Sequence, residues 1–415
     1  MTDNLDTWEH VAHDATHTWP EAEPVPITES DPVLHKAAYC GGVAQLAMAL
    51  DGIDNVDKEI PFKHYSPLHL AIRSDQAESV RLLLTAGADP RKPQPFEYTC
   101  YDSGTAIEVA THFGSEKSLM VLADHGIEIS NRAFSEAVAG NHVSCIQAIL
   151  QRWQDGSQEK SQIVAAMRKA IMRAAPLFCQ EALEVLLNTV PGFPDAKVEA
   201  DRKALTWAMR AMLAQWDETE GCQAVYLRYN PRTRPIAEML IAAGAEVDSR
   251  AFWACLYPAE DRIVHLLLDN GLDVHDRRGF DTWFAAEVDD ERPPLILAVV
   301  RVAEDDLSIL EEFLAKGASA LTTDEDLNTP LHSVAHVSFV RLLLKHGANV
   351  DARNKQGRTP LYVACAEKRL DVAAELIAHG ADVRTITKDE SWVPLVNQIV
   401  DRFATTSIAA PPFRF

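Results

Sequence analysis

Three histidines near the N-terminus have the spacing of a metal site. His10, His13 and His17 lie three and four residues apart in the stretch WEHVAHDATHTW. On a helix this spacing puts the three imidazoles on one face, where they could hold zinc in an open site. The stretch runs into PEAEPVPITESDP, which is rich in proline and glutamate. Residues 1–30 therefore also fit a tail or a short capping helix with a linker. We favour this second interpretation and expect no metal and no cofactor.

Three other histidines are candidate general bases. His35, His69 and His332 each close a four-residue motif, which reads PVLH, SPLH or TPLH. The motifs that usually accompany catalysis are missing, since there is no G-x-G-x-x-G, G-x-x-x-x-G-K-[ST], G-x-S-x-G or H-E-x-x-H. We therefore predict no catalytic residues and interpret the three histidines as structural.

Aromatic side chains concentrate between residues 193 and 284. Tyrosine and tryptophan often anchor binding partners, because each buries a large rigid ring and keeps a polar group. These side chains either repack a core or line a pocket. The segment 213–235 is too long for an ordinary connection and is either a mobile loop or a lid over such a pocket. The candidate pocket residues are Trp207, Trp216, Tyr226, Tyr229, Trp253 and Tyr257.

The elements that position these residues can be read from the stretch 328–383. Thr329 can cap a helix start, and Pro330 takes the first helical position, where no backbone donor is needed. A second apolar helical pattern runs through Leu342 and ends at Gly347. Each helix has only about two turns, and helices this short are marginal alone in water. Copies of the helix pair must therefore stack to bury their apolar faces.

The copies recur with a period of 33 residues, which is the distance between Gly347 and Gly380. A turn, T-P-L-H, two helices and G-A-D in this order resemble the ankyrin repeat. The resemblance implies an all-α fold, an ankyrin-repeat solenoid of stacked helix-turn-helix units with short projecting turns, or fingers, curved with a concave groove. It also implies that the motif histidine forms a hydrogen bond to the next repeat. Glu108 and Tyr362 replace that histidine in two copies, so we expect altered bonding there.

About ten repeats fit the chain, and those in the middle are degenerate. We divide the sequence into residues 31–130 (three repeats), 131–248 (degenerate repeats), 249–388 (further repeats) and 389–415 (a capping helix and tail). Repeat arrays of this kind can absorb such a length as one body.

Two fingers are longer than usual, at residues 91–103 and 278–292. Insertions in repeat proteins map to loops on one face, which is often the binding face. The chain after Gly126 and Gly244 instead has room for almost no finger. The aromatic residues of the two long fingers are Phe96, Tyr98, Tyr101, Trp283 and Phe284.

Composition limits the partners and the compartment. A net charge of −22 repels phosphate backbones and anionic lipids, so we expect no nucleic acid and no membrane, whereas a basic protein would be attracted. Apolar runs such as LILAVV are far shorter than the ~20 residues that span a bilayer. The acidic N-terminus does not resemble a secretory signal. Seven scattered cysteines without C-x-x-C fit reduced thiols in the cytoplasm or nucleus.

In proteins that resemble this pattern, partners commonly contact the finger tips and the first helix of a repeat. Carried onto this sequence frame by frame, the resemblance points to a set of polar positions. These expected partner-binding residues are Arg73, Glu325, Asp326, Asn328, Arg353, Lys355, Gln356, Arg358 and Glu367.

Two functions from different classes remain. The first is a non-enzymatic intracellular scaffold or adaptor that binds a protein partner through its concave face and finger loops. The second is a small-molecule or catalytic site in the aromatic-rich degenerate repeats. Because fold alone does not determine function, the residues of the site must decide between them.

Overall fold

The computed structural model describes residues 32–53, 55–59, 65–95, 103–156, 159–214, 231–248, 251–252, 261–275, 293–301 and 307–385. The chain falls into two compact units. Unit 1 comprises Met1–Met212, Asp217–Gly221 and Pro231–Glu246, and unit 2 comprises Leu213–Trp216, Cys222–Asn230 and Val247–Phe415. Each unit is built from stacked pairs of short helices.

Unit 1 contains twelve helices within the described residues. They are α1 (Val33–Cys40), α2 (Val43–Leu50), α3 (Pro67–Arg73), α4 (Ala77–Thr85), α5 (Ala106–His112), α6 (Glu116–Asp124), α7 (Asn131–Ala139), α8 (Val143–Asp155), α9 (Lys160–Ala174), α10 (Gln180–Asn188), α11 (Glu199–Ala214) and α12 (Thr233–Ala242). The first helices α1, α3, α5, α7 and α9 pack side by side in one layer. The second helices α2, α4, α6, α8, α10 and α12 form another.

Unit 2 repeats this arrangement. Its described helices are α13 (Asp261–Asp269), α14 (Pro294–Arg301), α15 (Ser308–Ala315), α16 (Pro330–Ser333), α17 (Val337–Lys345), α18 (Pro360–Ala366) and α19 (Leu370–Ala378), followed by a 3-10 turn at Val383–Thr385. The first helices α14, α16 and α18 pack in sequence, and α13 packs on α15 and α17 on α19. These two-layer stacks confirm the predicted all-α repeat fold. Among the described helices, none combines the length and apolarity needed to cross a bilayer.

The helix boundaries follow the sequence signals. Ser66 Oγ accepts a hydrogen bond of 3.2 Å from the backbone N–H of His69 and so caps α3, and Pro67 takes the first helical position. Thr359 Oγ1 caps α18 in the same way, at 3.3 Å from the backbone nitrogen of Tyr362. Gly347 follows α17 with φ of 85°, the left-handed conformation that ends a helix.

Buried apolar side chains fill the space between the layers. In unit 1 the rings of Phe134 and Trp153 pack with centroids 4.9 Å apart, and in unit 2 those of Phe252 and Phe313 lie 5.2 Å apart. Burial of this surface is the main driving force for stacking, because no single helix pair can hide its apolar faces alone.

The connections between repeats differ in length. The long finger at 91–103 starts and ends in an antiparallel ribbon of two strands, β1 (Gln94–Pro95) and β2 (Ser103–Gly104), with Gln94 opposite Gly104. The segment between α6 and α7 is short and runs from the left-handed Gly126 directly into the cap residue Ser130. The described part of the chain thus contains one short pair of strands besides its helices.

The motif histidine joins neighbouring repeats at two of its three positions. His332 Nδ1 accepts from the backbone N–H of Thr329 at 3.0 Å, which leaves the proton on Nε2, and Nε2 donates to the carbonyl of Arg358 at 3.1 Å. His35 Nε2 reaches the carbonyl of Lys58 at 2.8 Å. Burial lowers the pKa of His332, so the neutral ring that makes these bonds is favoured.

At the third position the expected bond is absent. Neither ring nitrogen of His69 has a hydrogen-bond partner within the described residues, so the role implied for this histidine is wrong. The residue equivalent to Arg358 is Gly104, which lies in strand β2 of the long finger. The ring of His69 instead packs 4.7 Å from that of Tyr65, and burial, with smaller contributions from Arg73 and His112, lowers its pKa to about 3.

Glu108 replaces the histidine by a different set of bonds. Its Oε2 accepts from the backbone N–H of Thr105 at 2.9 Å, and its Oε1 accepts from the hydroxyl of Ser130 at 3.2 Å. The first bond stays within the repeat and the second reaches the next one. Because a carboxylate can only accept, the next repeat must offer a donor in place of the usual carbonyl.

The degenerate part of unit 1 buries charge between its first helices. His112 Nδ1 lies 3.2 Å from Glu136 Oε2, and Arg173 Nη2 lies 3.7 Å from Glu136 Oε1. The three side chains belong to α5, α7 and α9, and all three are largely buried. Removing one member of such a group would leave an uncompensated buried charge.

The bonds of Glu108 predict a loss of stability in Glu108→Ala. The substitution removes the acceptor for a backbone N–H and for a hydroxyl, and we expect a loss of about 1–3 kcal/mol in the free energy of unfolding, read from urea midpoints. Exposed Glu128 provides the control. Glu128→Ala should change stability by no more than about 0.5 kcal/mol. Equal losses in both variants would contradict the role assigned to Glu108.

The buried His69 predicts a pH dependence. Above its ordinary pKa of 6.5, His69 is neutral in both the folded and unfolded states and contributes nothing to the slope. Below that pH the unfolded chain binds a proton while the folded chain does not, until the pKa of about 3 is reached. Stability should therefore fall by about 1.4 kcal/mol per pH unit from this residue alone.

The variant His69→Leu tests this slope, because leucine fills a similar volume and does not titrate. Urea midpoints between pH 7 and pH 5 should fall less steeply in this variant than in the wild type. His125 is exposed, so His125→Leu should leave the wild-type slope unchanged. Parallel slopes for His69→Leu and the wild type would show that His69 is not the source.

Candidate protein-interaction surface

The finger at residues 353–358, here the basic finger, is a closed turn built around Asn354. The side chain Oδ1 of Asn354 accepts from the backbone N–H groups of Gln356 at 3.1 Å and Arg358 at 2.9 Å. The Asn354 backbone N–H donates to the carbonyl of Arg358 at 3.0 Å, and its carbonyl accepts from Gly357 at 2.8 Å. The turn is therefore held by its own backbone and one buried side chain, with one further bond of 3.3 Å from Arg353 Nη1 to the Gly357 carbonyl.

The preceding finger, residues 324–328, here the acidic finger, repeats the same turn 30 residues earlier. Asp324 takes the place of Asn354, and its Oδ1 accepts from the backbone N–H of Asn328 at 2.7 Å. The two fingers are joined by a bond of 2.9 Å from Asn354 Nδ2 to Asn328 Oδ1, and by one of 2.8 Å from the Lys355 N–H to the Asp326 carbonyl. The pair forms one connected polar network.

The tips of the two fingers carry opposite charges. Glu325 and Asp326 are exposed on the acidic finger. Arg353, Lys355 and Arg358 are exposed on the basic finger. The Arg358 guanidinium lies 5.3 Å from the centroid of the Tyr362 ring on α18, within the range of a cation–π interaction. The five charged side chains of the two tips are thus all exposed.

One residue of this surface was missed by the sequence reasoning. When the fingers are aligned on their Thr-Pro pairs, Leu327 stands where the basic finger has Gly357. Both take left-handed backbone angles, with φ of 59° at Leu327 and 73° at Gly357. The Leu327 side chain is 47% exposed. Comparing the two fingers position by position would have provided the signal, because a glycine position filled by leucine is unusual.

The other expected contact residues have different surroundings. Asn328 is half-buried and its side chain is used in the network between the fingers, where it also donates to Asp324 Oδ2 at 3.0 Å. Glu367 is exposed and pairs with Arg369. Arg73 belongs to unit 1, is half-buried, and has its guanidinium 4.3 Å from the ring centroid of Phe113. The Asn328 side chain therefore holds the two fingers together instead of projecting from their tips.

Most of the predicted aromatic contacts cannot be placed. Phe96, Tyr98, Tyr101, Trp283 and Phe284 of the long fingers lie outside the described residues, as do Trp216, Tyr226, Tyr229, Trp253 and Tyr257 of the candidate pocket. The same holds for His10, His13 and His17.

A cleft is present in the degenerate part of unit 1. Its volume is about 720 Å³, and it opens between the ends of α10 and α12 and the loop 192–196. Leu187 and Met239 line it on the apolar side, and Glu184 and Asp195 bring carboxylates. Trp207, the one candidate pocket residue within the described chain, is half-buried on α11 and does not line this cleft.

Cysteine chemistry does not add a second site to the described part of the chain. Cys40, Cys145, Cys179 and Cys365 are all free, and the last three are buried. Burial raises the pKa of the Cys145 thiol to about 12, so this thiol stays protonated and is a poor nucleophile at neutral pH.

Comparison with known proteins adds an independent observation. A family model described as ankyrin repeats in three copies matches residues 34–133 and 295–387. A putative ankyrin repeat protein of fowlpox virus (strain NVSL) is 32% identical over 124 residues, which cover 28% of this chain and 20% of the viral one. A putative ankyrin repeat protein of Acanthamoeba polyphaga mimivirus is 31% identical over 94 residues, covering 22% of this chain and 12% of its own length. The alignments thus span only a fifth or less of these two relatives.

A third relative is aligned over most of its length. Protein phosphatase 1 regulatory subunit 27 of Homo sapiens is 31% identical over 106 residues, covering 25% of this chain and 68% of the human protein. Helix pairs, finger turns and sequence matches agree, and they support a protein-interaction role. The chain belongs to the ankyrin-repeat family.

Proposed function

We propose that the protein is a non-enzymatic scaffold or adaptor that holds a partner protein on the acidic finger, the basic finger and the exposed side of α18. The observation that carries this proposal is the separation of tasks within the fingers. Asn354, Asp324 and Asn328 close and join the turns, while the charged side-chain groups of Glu325, Asp326, Lys355 and Arg358 form no hydrogen bond in that network. Rigid turns that present free polar groups lose little conformational entropy on binding.

Family membership supports the same reading. Ankyrin repeats imply protein partners, and the human relative is by name a regulatory subunit of a phosphatase. We place the protein in the cytoplasm or nucleus, since its scattered cysteines fit reduced thiols. Its net charge of −22 would speed encounter with a basic partner and disfavour nucleic acid.

The cleft in unit 1 favours a second candidate, which is small-molecule binding in the degenerate repeats. Its volume of about 720 Å³ lies within the range of ligand pockets. Its walls combine apolar side chains with the carboxylates of Glu184 and Asp195, so a ligand would be partly apolar and cationic. We rank this second, because the cleft is open and Trp207, the candidate pocket residue within the described chain, does not line it.

Site-specific photo-cross-linking in the native cell extract tests the adaptor proposal. We would place benzoylphenylalanine at Glu325 or Gln356 on the fingers, and at Glu311 or Lys345 on the second helices α15 and α17 as matched controls. All four positions are exposed. One polypeptide should cross-link from both finger positions and from neither control, because the partner lies on the fingers.

Asn354→Ala adds a test of the finger network. It removes the acceptor for two backbone N–H groups and leaves every tip charge in place. We expect the cross-link yield from Gln356 to fall in this background, because the turn is no longer held. Cross-links of equal yield from fingers and controls, or from the controls alone, would refute the proposed binding face.

A further inference from the structure

Leu327 combines two features that the fold does not require. Its backbone is left-handed, a conformation that leucine rarely adopts, and its side chain is among the exposed large hydrophobic groups of the described chain. The aligned position in the basic finger is a glycine, which makes the same turn without strain. Leu327 therefore carries a backbone strain that a glycine at this position would avoid.

The position of Leu327 separates it from other left-handed residues. Within the described chain, the remaining non-glycine residues at positive φ are Asp75, Asn141, Phe178 and Lys368. Each of these lies in the short turn between the two helices of one repeat, where glycines 41 and 114 take the same conformation in two other copies. Leu327 alone among them lies at a finger tip. Strain kept at such a place points to a function outside the fold.

The cations next to Leu327 are not neutralised by the protein itself. Arg353, Lys355 and Arg358 are exposed, and none of them forms an ion pair with a carboxylate in the part of the chain that the structure describes. Arg353 only donates to the carbonyl of Gly357 at 3.3 Å. In a protein with a net charge of −22, three free cations on one turn are a local exception.

We propose that these two features form one docking site for an extended acidic segment of the partner protein, with an apolar side chain seated on Leu327 and carboxylates bound by Arg353, Lys355 and Arg358. The inference rests on the proposed function and names the chemistry of its partner. Arginine binds carboxylates through paired N–H groups, and the Tyr362 ring orients Arg358. The overall negative charge acts at long range and is screened, so the local charges decide the contact.

Polyanions such as nucleic acid fit this site less well. Glu325 and Asp326 stand on the neighbouring finger and would repel a uniformly charged phosphate chain. A peptide can place its carboxylates on the basic finger and an apolar residue on Leu327, and keep further acidic groups away from the acidic finger. A phosphate group would gain nothing from contact with the Leu327 side chain, whereas an apolar side chain of a peptide would pack against it.

A library of random twelve-residue peptides displayed on phage, selected on the full-length chain, tests the inference directly. The retained peptides should be enriched in aspartate or glutamate beside a leucine, phenylalanine or similar residue. Synthetic versions should bind in fluorescence polarisation, and single-stranded oligothymidylate should not compete with them.

Two variants locate the site. Lys355→Glu combined with Arg358→Glu should weaken the selected peptides by about tenfold or more, because the carboxylates then meet like charge. Leu327→Gly should also weaken them by about tenfold, since the apolar contact is lost. The melting temperature of Leu327→Gly should not fall, because glycine accepts the left-handed backbone. A residue kept for folding would show the opposite, a lower melting temperature.

Matched controls are available for both variants. Lys117 is an exposed cation on α6 in unit 1, and Leu321 is an exposed leucine whose backbone is not left-handed. Lys117→Glu and Leu321→Gly should leave peptide affinity unchanged. Peptides that are basic, that bind all variants equally, or that are displaced by oligothymidylate would refute the inference that the fingers bind an acidic segment. The proposed function as a protein-binding surface would not be affected by such a result. If no peptide is retained while photo-cross-links still form at the fingers, the inference fails and the proposed function stands.

Discussion

A hydrogen bond from the first turn of one repeat to the next repeat keeps the stacks in register. Apolar burial drives the stacking, but it is non-directional and would tolerate many offsets between layers of similar helices. The bonds from His332 to the Arg358 carbonyl and from His35 to the Lys58 carbonyl are directional, and they are buried, where an unmade bond is expensive. These hydrogen bonds can form at only one offset between the two repeats that they join. Because Arg358 closes the basic finger, the same bond that aligns two repeats also fixes the position of that finger.

Directional hydrogen bonds also fix the two fingers, which form the proposed binding surface. Asn354 accepts hydrogen bonds from the backbone of its own turn and donates one to Asn328 in the neighbouring turn, so the two fingers are held together. The charged groups of Lys355, Glu325 and Asp326 at the tips are not needed for these bonds. This arrangement explains how cations can remain unpaired in an acidic protein without loss of the fold. It also explains why the tip residues can differ between repeats while the asparagine or aspartate at the base of the turn keeps its role.

Much of this could be predicted from local sequence, and the remainder depends on contacts between repeats. The caps at Thr359 and Ser66 and the stop at Gly347 follow from single residues and their immediate neighbours. The altered bonding at Glu108 was expected, but its partner Ser130 belongs to another repeat and could not be named. His69 was assigned a bond that is absent, and Gly104, which stands at the expected acceptor position, lies in the ribbon of the long finger. In each case the missing information was which group of the next repeat faces the side chain.

The candidate site shows the same division. The charges of the finger tips could be read directly from the aligned motifs, whereas the bonds that Asn328 makes between the two fingers could not. Leu327 was overlooked because a left-handed backbone becomes evident only when the bonds of the turn are known. Trp207 illustrates a further limit, since a degenerate motif does not reveal which face of α11 a residue occupies. Phe193, where the aromatic-rich stretch begins, lines the cleft, but Trp207 does not.

The pairing of Glu108 with Ser130 restricts how this array can evolve. Repeat proteins commonly grow and shrink by duplication or deletion of whole repeats, which presumes that any copy can sit beside any other. A copy ending its first turn in a carboxylate is incompatible with a neighbour that offers a carbonyl, since two acceptors would then face each other in a buried position. The repeat that follows Glu108 must therefore carry a hydroxyl at the cap of its first helix, as Ser130 does. The chemistry of each junction thus limits which copies can stand side by side.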